Sequence, residues 1–384
     1  MLDIDFEAHN AEVREVWQRF RDGRPCRVPM TLGIASRFTL LNPQANPRSI
    51  TYRDYFSDPD VMFDHQLQHH YWVRHHVPYD AELGLPETWT VNVDFQNSYA
   101  QLWYGADLRF IDGDVPDTPP FLTDENKWDF IAAGPPAPFG GWMGRAWEFY
   151  ERFQERAEGY EFHGRPVRAG SLPGAGTDGT FTIACALRGP TELCLDMHTD
   201  PEFYHALMNL IVEATIRRIY AFRERLGRPR ESRAWGFADD SIQLVSDATY
   251  RELILPYHRR LFDEFGADGP NSIHLCGDAT HLFKTIRDEL NVTTFDTGFP
   301  VDHGWLRREL GPEVTIRGGP HVELLRSGTP AAVREETKRI LESGVMEGGK
   351  FVLRDANNLA PLTPIANIAA MYDACKRFGR YPDE

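Results

Sequence analysis

A chain of 384 residues that is 42% hydrophobic and 12% aromatic can fill one large core or two modest ones. Lys+Arg 41 against Asp+Glu 57 gives a formal net charge of −16, spread along the chain rather than gathered in a tail; a surface that negative repels phosphate backbones and argues against nucleic acid as a partner. No run approaches the roughly 18 apolar residues that span a bilayer. MLDIDFEAHNAEVREVW at the start reads as an ordinary helix rather than a secretory signal. The cysteines at 26, 185, 194, 276 and 375 are too scattered for a disulfide framework and suit a reducing compartment. The expectation is an acidic cytoplasmic protein without nucleic-acid or membrane partners, with a homodimer left open.

Along the chain, RVPMTLGI (27–34), TWTVNVDF (88–95) and PVRAGS (166–171) read as strands, with helices over 57–76, 143–157 and 201–226. From residue 233 the rhythm becomes regular. Short β-rich runs RAWGFAD (233–239), NSIHLCG (271–277), VTTFDTG (292–298), VTIRGG (314–319) and KFVLRDA (350–356) alternate with segments of helical period. Ser246, Asp278, Thr329 and Thr363 stand where helix caps belong, and Pro330 and Pro364 follow the two threonines as first-turn prolines. Eight strands, each leading to a helix, predict an α/β fold, a (β/α)8 barrel, with an open doubly wound sheet as the alternative. The whole chain, 1–384, is expected to form a single domain with an N-terminal helical extension. The Pro-, Gly- and Trp-rich stretch 96–142 is expected as an insertion over the barrel mouth.

In such a barrel the chemistry lies where strands run into the following loops. Those positions hold Asn92, Asp94, Ser171, Asp239, Asp240, His274, Cys276, Asp296, His321, Asp355 and Asn357. Polar groups at the ends of apolar strands are costly unless they bond each other, a metal or a ligand. His274 and Cys276, two apart on one strand, point to the same face and suit zinc as imidazole and thiolate. The bland alternative is a half-buried histidine beside an inert thiol. Of Asp239 and Asp240, adjacent on a strand, one faces the mouth while the other caps a helix or pairs with a cation. His69, His70, His75 and His76 read as a solvated helix face. Trp103, Tyr104, Trp142 and Trp147 are either a pocket wall for a flat ligand or core.

The stretches SIHLCGD, TTFDTGFPVD, TIRGGPHVELLRSGTPAAVREETKRIL and FVLRDANNLAPLTPIANIAAMYDACKRFG, in this order, resemble the uroporphyrinogen decarboxylase superfamily over roughly residues 180–380. The pattern looks more like the corrinoid-linked methyltransferases (methylcobamide:coenzyme M methyltransferases and O-demethylase components) than the true decarboxylases. The decarboxylases' arginine-rich N-terminal signature has no counterpart here. The resemblance implies a barrel, a zinc ion held by His274 and Cys276, and methyl transfer to or from a cobalamin or corrinoid protein. Two positions depart from that branch. DANNLAPLTP places Asn357 where a third ligand, a cysteine, would stand, and GGPH places His321 where an Asp would stand. The resemblance leaves Asp296 or His321 to complete a His/Cys metal set, with loss of the metal as the other outcome. Three functions compete. The first is a zinc-dependent methyltransferase acting on a small thiol or methyl ether, with Asp239, Asp240 and Asn357 as catalytic candidates. The second is a metal-free decarboxylase-like lyase using Asp239, Asp240 or Asp94. The third is a corrinoid-binding barrel without catalysis.

Overall fold

A computed structural model of the protein describes residues 2–231, 234–267 and 269–382. Its strands are β1 (Trp89–Val91), β2 (Glu161–Phe162), β3 (Arg165–Ala169), β4 (Gly236–Ala238), β5 (Asn271–Leu275), β6 (Val292–Thr297), β7 (Thr315–Gly318) and β8 (Phe351–Leu353). Strands β4 to β8 form one parallel sheet in chain order. A parallel bridge from Met30 to Leu353 continues it past β8, and another from Asp178 to Ala238 continues it past β4. β1 pairs in parallel with β3, whose other edge carries the short antiparallel β2. The segment at Met30, β1, β3 and β4–β8 thus supply the eight parallel strands of a (β/α)8 barrel. β2 is a hairpin edge that the sequence pattern does not announce. Arg233, which opens the expected run 233–239, lies outside the described residues.

The strands form where alternation serves two buried faces. In β5, Ile273 and Leu275 are buried among apolar neighbours while Ser272 and His274 between them stay partly accessible. β8 is buried throughout, as a parallel strand covered on both sides must be. Helices Pro201–Arg225, Leu255–Phe265, Pro330–Ile340 and Ile365–Phe378 lie close to the expected spans. Thr329 caps its helix by accepting from the N–H of Ala332, with Pro330 in the first turn.

Several expectations are corrected. Thr363 caps nothing: its hydroxyl donates to the carbonyl of Ala360, and Pro364 takes the cap position. Asp278 accepts from the N–H of Thr280 in a local turn, and the helix begins only at Phe283. The helix Pro59–His76 does not present a solvated histidine face. His65, His69 and His75 are buried, the first two on the hydroxyl of Thr39 at 3.1 and 2.8 Å. Trp103, Tyr104 and Trp147 are core, and Trp142 packs on its edge. No helix among the described residues is long and apolar enough to cross a membrane.

Candidate functional site

Register builds the site. In the parallel ladder His274 lies level with Asp296 on one side and with Ala238 on the other. Two steps beyond Ala238 on the chain comes Asp240, and two steps beyond His274 comes Cys276, so side chains from adjacent strands reach the same end of the barrel. One donor atom each from Asp240, His274 and Cys276 lie within 4.8 Å of one another. Gly298 permits this approach: a Cβ there would come within 2.5 Å of the backbone N of Gly277 and 2.6 Å of the Cα of Cys276.

Around these three sits a second layer of contacts. Asp296 bonds Nδ1 of His274 at 3.0 Å and is itself held by the guanidinium of Arg354. Arg354 also donates to the carbonyl of Asn357 at 2.6 Å, steadying a residue whose φ of 118° falls in the region L-residues rarely adopt. From there the Asn357 amide donates to Sγ of Cys276 at 2.9 Å. Asp240 accepts from the N–H of Cys276 at 2.7 Å and lies 3.8 Å from Nε2 of His274. Burial disfavours charge on His274. The bonds to Asp296 and Cys276 and the fields of Asp296 and Asp240 more than offset it, raising the imidazole to about 10 in the metal-free protein.

Asp240, His274, Asp296, Arg354 and Asn357 line a cavity of about 270 Å³ together with Arg37, Asn97, Gln101, Asp178, Thr182 and Asn358. Burial, then the neighbouring Asp240 and Asp239, push Asp178 up to about 7. Asp355, expected at a strand end, is fully buried behind the site, where it accepts from the N–H of Gly33 at 2.8 Å, and burial raises it to about 6.

The structure brings together Asp240, His274, Cys276, Asp296 and Asn357, and leaves two candidates apart. Asp239 faces away from the cavity. Its carboxylate accepts from the N–H groups of Phe181 and Thr182 at 3.1 and 2.9 Å and bonds Nε2 of His258 at 2.8 Å. It joins β4 to the helix Thr180–Arg188, a structural task that removes it from the catalytic set. His321 is corrected as a metal candidate as well: its Nδ1 accepts from the N–H of Glu323, capping the helix Val322–Ser327, and its ring packs on Phe299. Asp296, expected as a metal ligand, bonds Nδ1 of His274, and Asp240 is the carboxylate grouped with His274 and Cys276. Asn92 and Asp94 are absorbed locally, Asn92 accepting from Ser171, and Asp94 from Ser36, Tyr55 and Gln96.

Arg354, Asp178 and Arg37 are cavity residues that the sequence reading missed. Arg354 sits within FVLRDA, where an arginine on an apolar strand reads as solvent-facing. Asp178 hides in the turn-like GAGTDGT, and Arg37 in a four-residue helix too short for any periodic signal.

A parallel barrel with a His/Cys/carboxylate cluster at its strand ends defines a class of barrel proteins with a metal-competent site. The sequence pattern of the family described as Uroporphyrinogen decarboxylase (URO-D) matches residues 172–378, and the chain belongs to that family. Among curated relatives, a methylated-thiol–coenzyme M methyltransferase of Methanosarcina mazei is 30% identical over 209 residues, 53% of each chain. A methylcobamide:CoM methyltransferase MtbA of Methanosarcina acetivorans is 26% identical over 36% of this chain and 39% of its own. Uroporphyrinogen decarboxylases are also among the relatives. The chain spans about half the length, or less, of the curated relatives it matches. A solved methyltransferase from Methanosarcina mazei superposes with a TM-score of 0.65 at 15% identity, covering 95% of this chain and 98% of its own, a likeness of fold.

Proposed function

We propose that the protein is a zinc-dependent methyltransferase that moves a methyl group between a small-molecule thiol or methyl ether and a cobalamin or corrinoid protein. The observation that carries this reading is the convergence of Asp240, His274 and Cys276 at the strand ends of a barrel, in a chain whose relatives include methyltransferases. The donor set fits the metal. One thiolate, one imidazole and one carboxylate are all zinc ligands, and three protein donors are the number a catalytic zinc site uses, leaving a position for substrate. Zinc bound there supplies Lewis acidity, lowering the pKa of an acceptor thiol or polarising an ether oxygen.

The chain's own groups prepare that chemistry. Asp296 accepts from Nδ1–H of His274, so that the proton a bound metal would displace is the one on Nε2, the nitrogen that faces Asp240. Arg354 fixes Asp296 in turn. The amide of Asn357, standing where a ligand cysteine was expected, donates to Sγ of Cys276. Asn97 and Gln101 line the cavity from within 96–142, which supports that stretch as its cover.

The test is methyl transfer from methylcobalamin to a small thiol by zinc-loaded protein, followed as loss of methylcobalamin absorbance. Transfer that depends on zinc and is lost in a His274→Ala/Cys276→Ala variant is expected. Equal rates in the two proteins, or rates indifferent to zinc, contradict the proposal.

The family's name keeps a second reading, a metal-free lyase. Of the carboxylates expected for that role only Asp240 would then hold substrate N–H groups, because Asp239 and Asp94 are engaged elsewhere. Release of CO2 from uroporphyrinogen would favour the lyase. Cobalamin binding without transfer to any thiol or from any ether would favour a binding barrel.

A further inference from the structure

Five Asp and Arg side chains line the cavity, and three of them are engaged. Arg354 holds Asp296, Asp296 holds His274, and Asp240 holds the N–H of Cys276 and faces His274. The other two are Arg37 and Asp178. Among the described residues the guanidinium of Arg37 makes no hydrogen bond or ion pair, and its Nε is buried without a partner. The carboxylate of Asp178 likewise has neither, although its backbone is tied to Ala238. They do not pair with each other. Two cations reach Asp178 by their fields alone, Arg218 and His274; Arg218 is fully buried, donates to the carbonyl of Gly176, stacks on Trp103 and leaves Nε and Nη1 without a partner. Partly buried charges left unpaired are costly, and here the two have opposite sign and face one space.

We infer that the cavity takes a small zwitterion, its acid group paired with the guanidinium of Arg37 and its ammonium paired with the carboxylate of Asp178. The size agrees: a cavity of about 270 Å³ has room for an amino-acid-sized molecule. Asn97, Gln101 and Asn358 add amides that can donate to or accept from its polar atoms. A ligand ammonium beside Asp178 also counters the burial and the neighbouring acids that raise that carboxyl. Charge recognition rests on Arg37 and Asp178 alone. Only the direction of the ligand's sulfur or oxygen, toward His274 and Cys276, rests on the methyltransferase reading.

Three thioethers of matched length separate the charges: S-methylcysteine carries both, methylthiopropionate the acid alone and methylthioethylamine the amine alone. Their dissociation constants for the metal-free protein are measured by calorimetry, so that no turnover is needed. S-methylcysteine is expected to bind at least about tenfold more tightly than either single-charge analogue. Arg37→Gln should erase its margin over methylthioethylamine, and Asp178→Asn its margin over methylthiopropionate. Arg37→Lys should keep part of the first margin, which separates charge loss from misfolding, and circular dichroism checks each variant. Equal binding of the three compounds, unmeasurable binding of S-methylcysteine, or margins that survive both substitutions overturn the inference. Zwitterion binding without methyl transfer would remove the methyltransferase reading and leave this one standing. Transfer to mercaptopropionate as fast as to homocysteine would do the reverse.

Discussion

In the proposed reading Asp240, His274 and Cys276 would hold a metal and Asp296 would support His274, and substitution can tell the two roles apart. Asp296→Asn should lower zinc affinity about 10–100-fold, the usual cost of losing the partner behind a ligand histidine, whereas Asp240→Ala removes a ligand and should cost more; competition titration against a chelator measures both. The metal-free site holds its His274 proton up to about 10, so zinc must displace a proton and its apparent affinity should rise with pH through the neutral range. Calorimetry in buffers of different ionisation enthalpy reads that proton directly. The same raised value adds stability to the metal-free fold that is complete below 6.5, the ordinary value, and lost as pH rises through about 10. His274 and Cys276 were legible because a two-residue step on a strand fixes a common face. Their third partner was not. Choosing among Asp240, Asp296 and His321 depends on register between strands and on which carboxylate turns outward, and one chain's order of residues does not carry that.

At the level of elements, the pair Asp239–Asp240 shows how adjacent carboxylates part company. Strand alternation foretold that one would face the mouth, and it does. The other caps a helix, one of its two expected roles, by accepting from two N–H groups in the first turn of Thr180–Arg188, and it also bonds a buried histidine. Asp239 and His258 are both fully buried. Asp239→Ala should therefore cost about 3–5 kcal/mol in chemical denaturation, with zinc stoichiometry unchanged in the folded protein. Thr329→Ala, which removes a helix cap, should cost about 1 kcal/mol by the same measurement. The strand–helix alternation after residue 233 was readable because each unit carries its own apolar run and turn residues. Helices Thr180–Arg188 and Pro190–Thr199 were not foreseen; they pack on each other and on the helix Pro201–Arg225. The histidine-rich helix was misread because imidazoles count as polar in a periodicity, yet His65 and His69 share one buried hydroxyl.

Over the whole molecule, those imidazoles set the acid limit. Burial lowers His65, His70 and His303 to about 4, and it lowers His69 as well. The unfolded chain binds their protons near 6.5 and the folded one only near 4, so this part of the stability is present above 6.5 and lost as pH falls between those values. Asp178 and Asp355 work the other way: raised to about 7 and about 6, they favour the fold at low pH and lose that contribution as pH rises through those values. The histidines outnumber them, and the melting temperature should fall on acidification from 6.5 to 4. A flat profile across that window would mean that the histidines are solvated. The central claim is a zinc site of one sulfur, one imidazole and one carboxylate, with asparagine where a cysteine was expected. X-ray absorption fine structure at the zinc edge of the loaded protein tests it most directly. The account predicts one bound zinc with a single sulfur at about 2.3 Å and its remaining neighbours nitrogen or oxygen at about 2.0–2.2 Å. A protein that retains no zinc, or a zinc shell with no sulfur or with two, would contradict it.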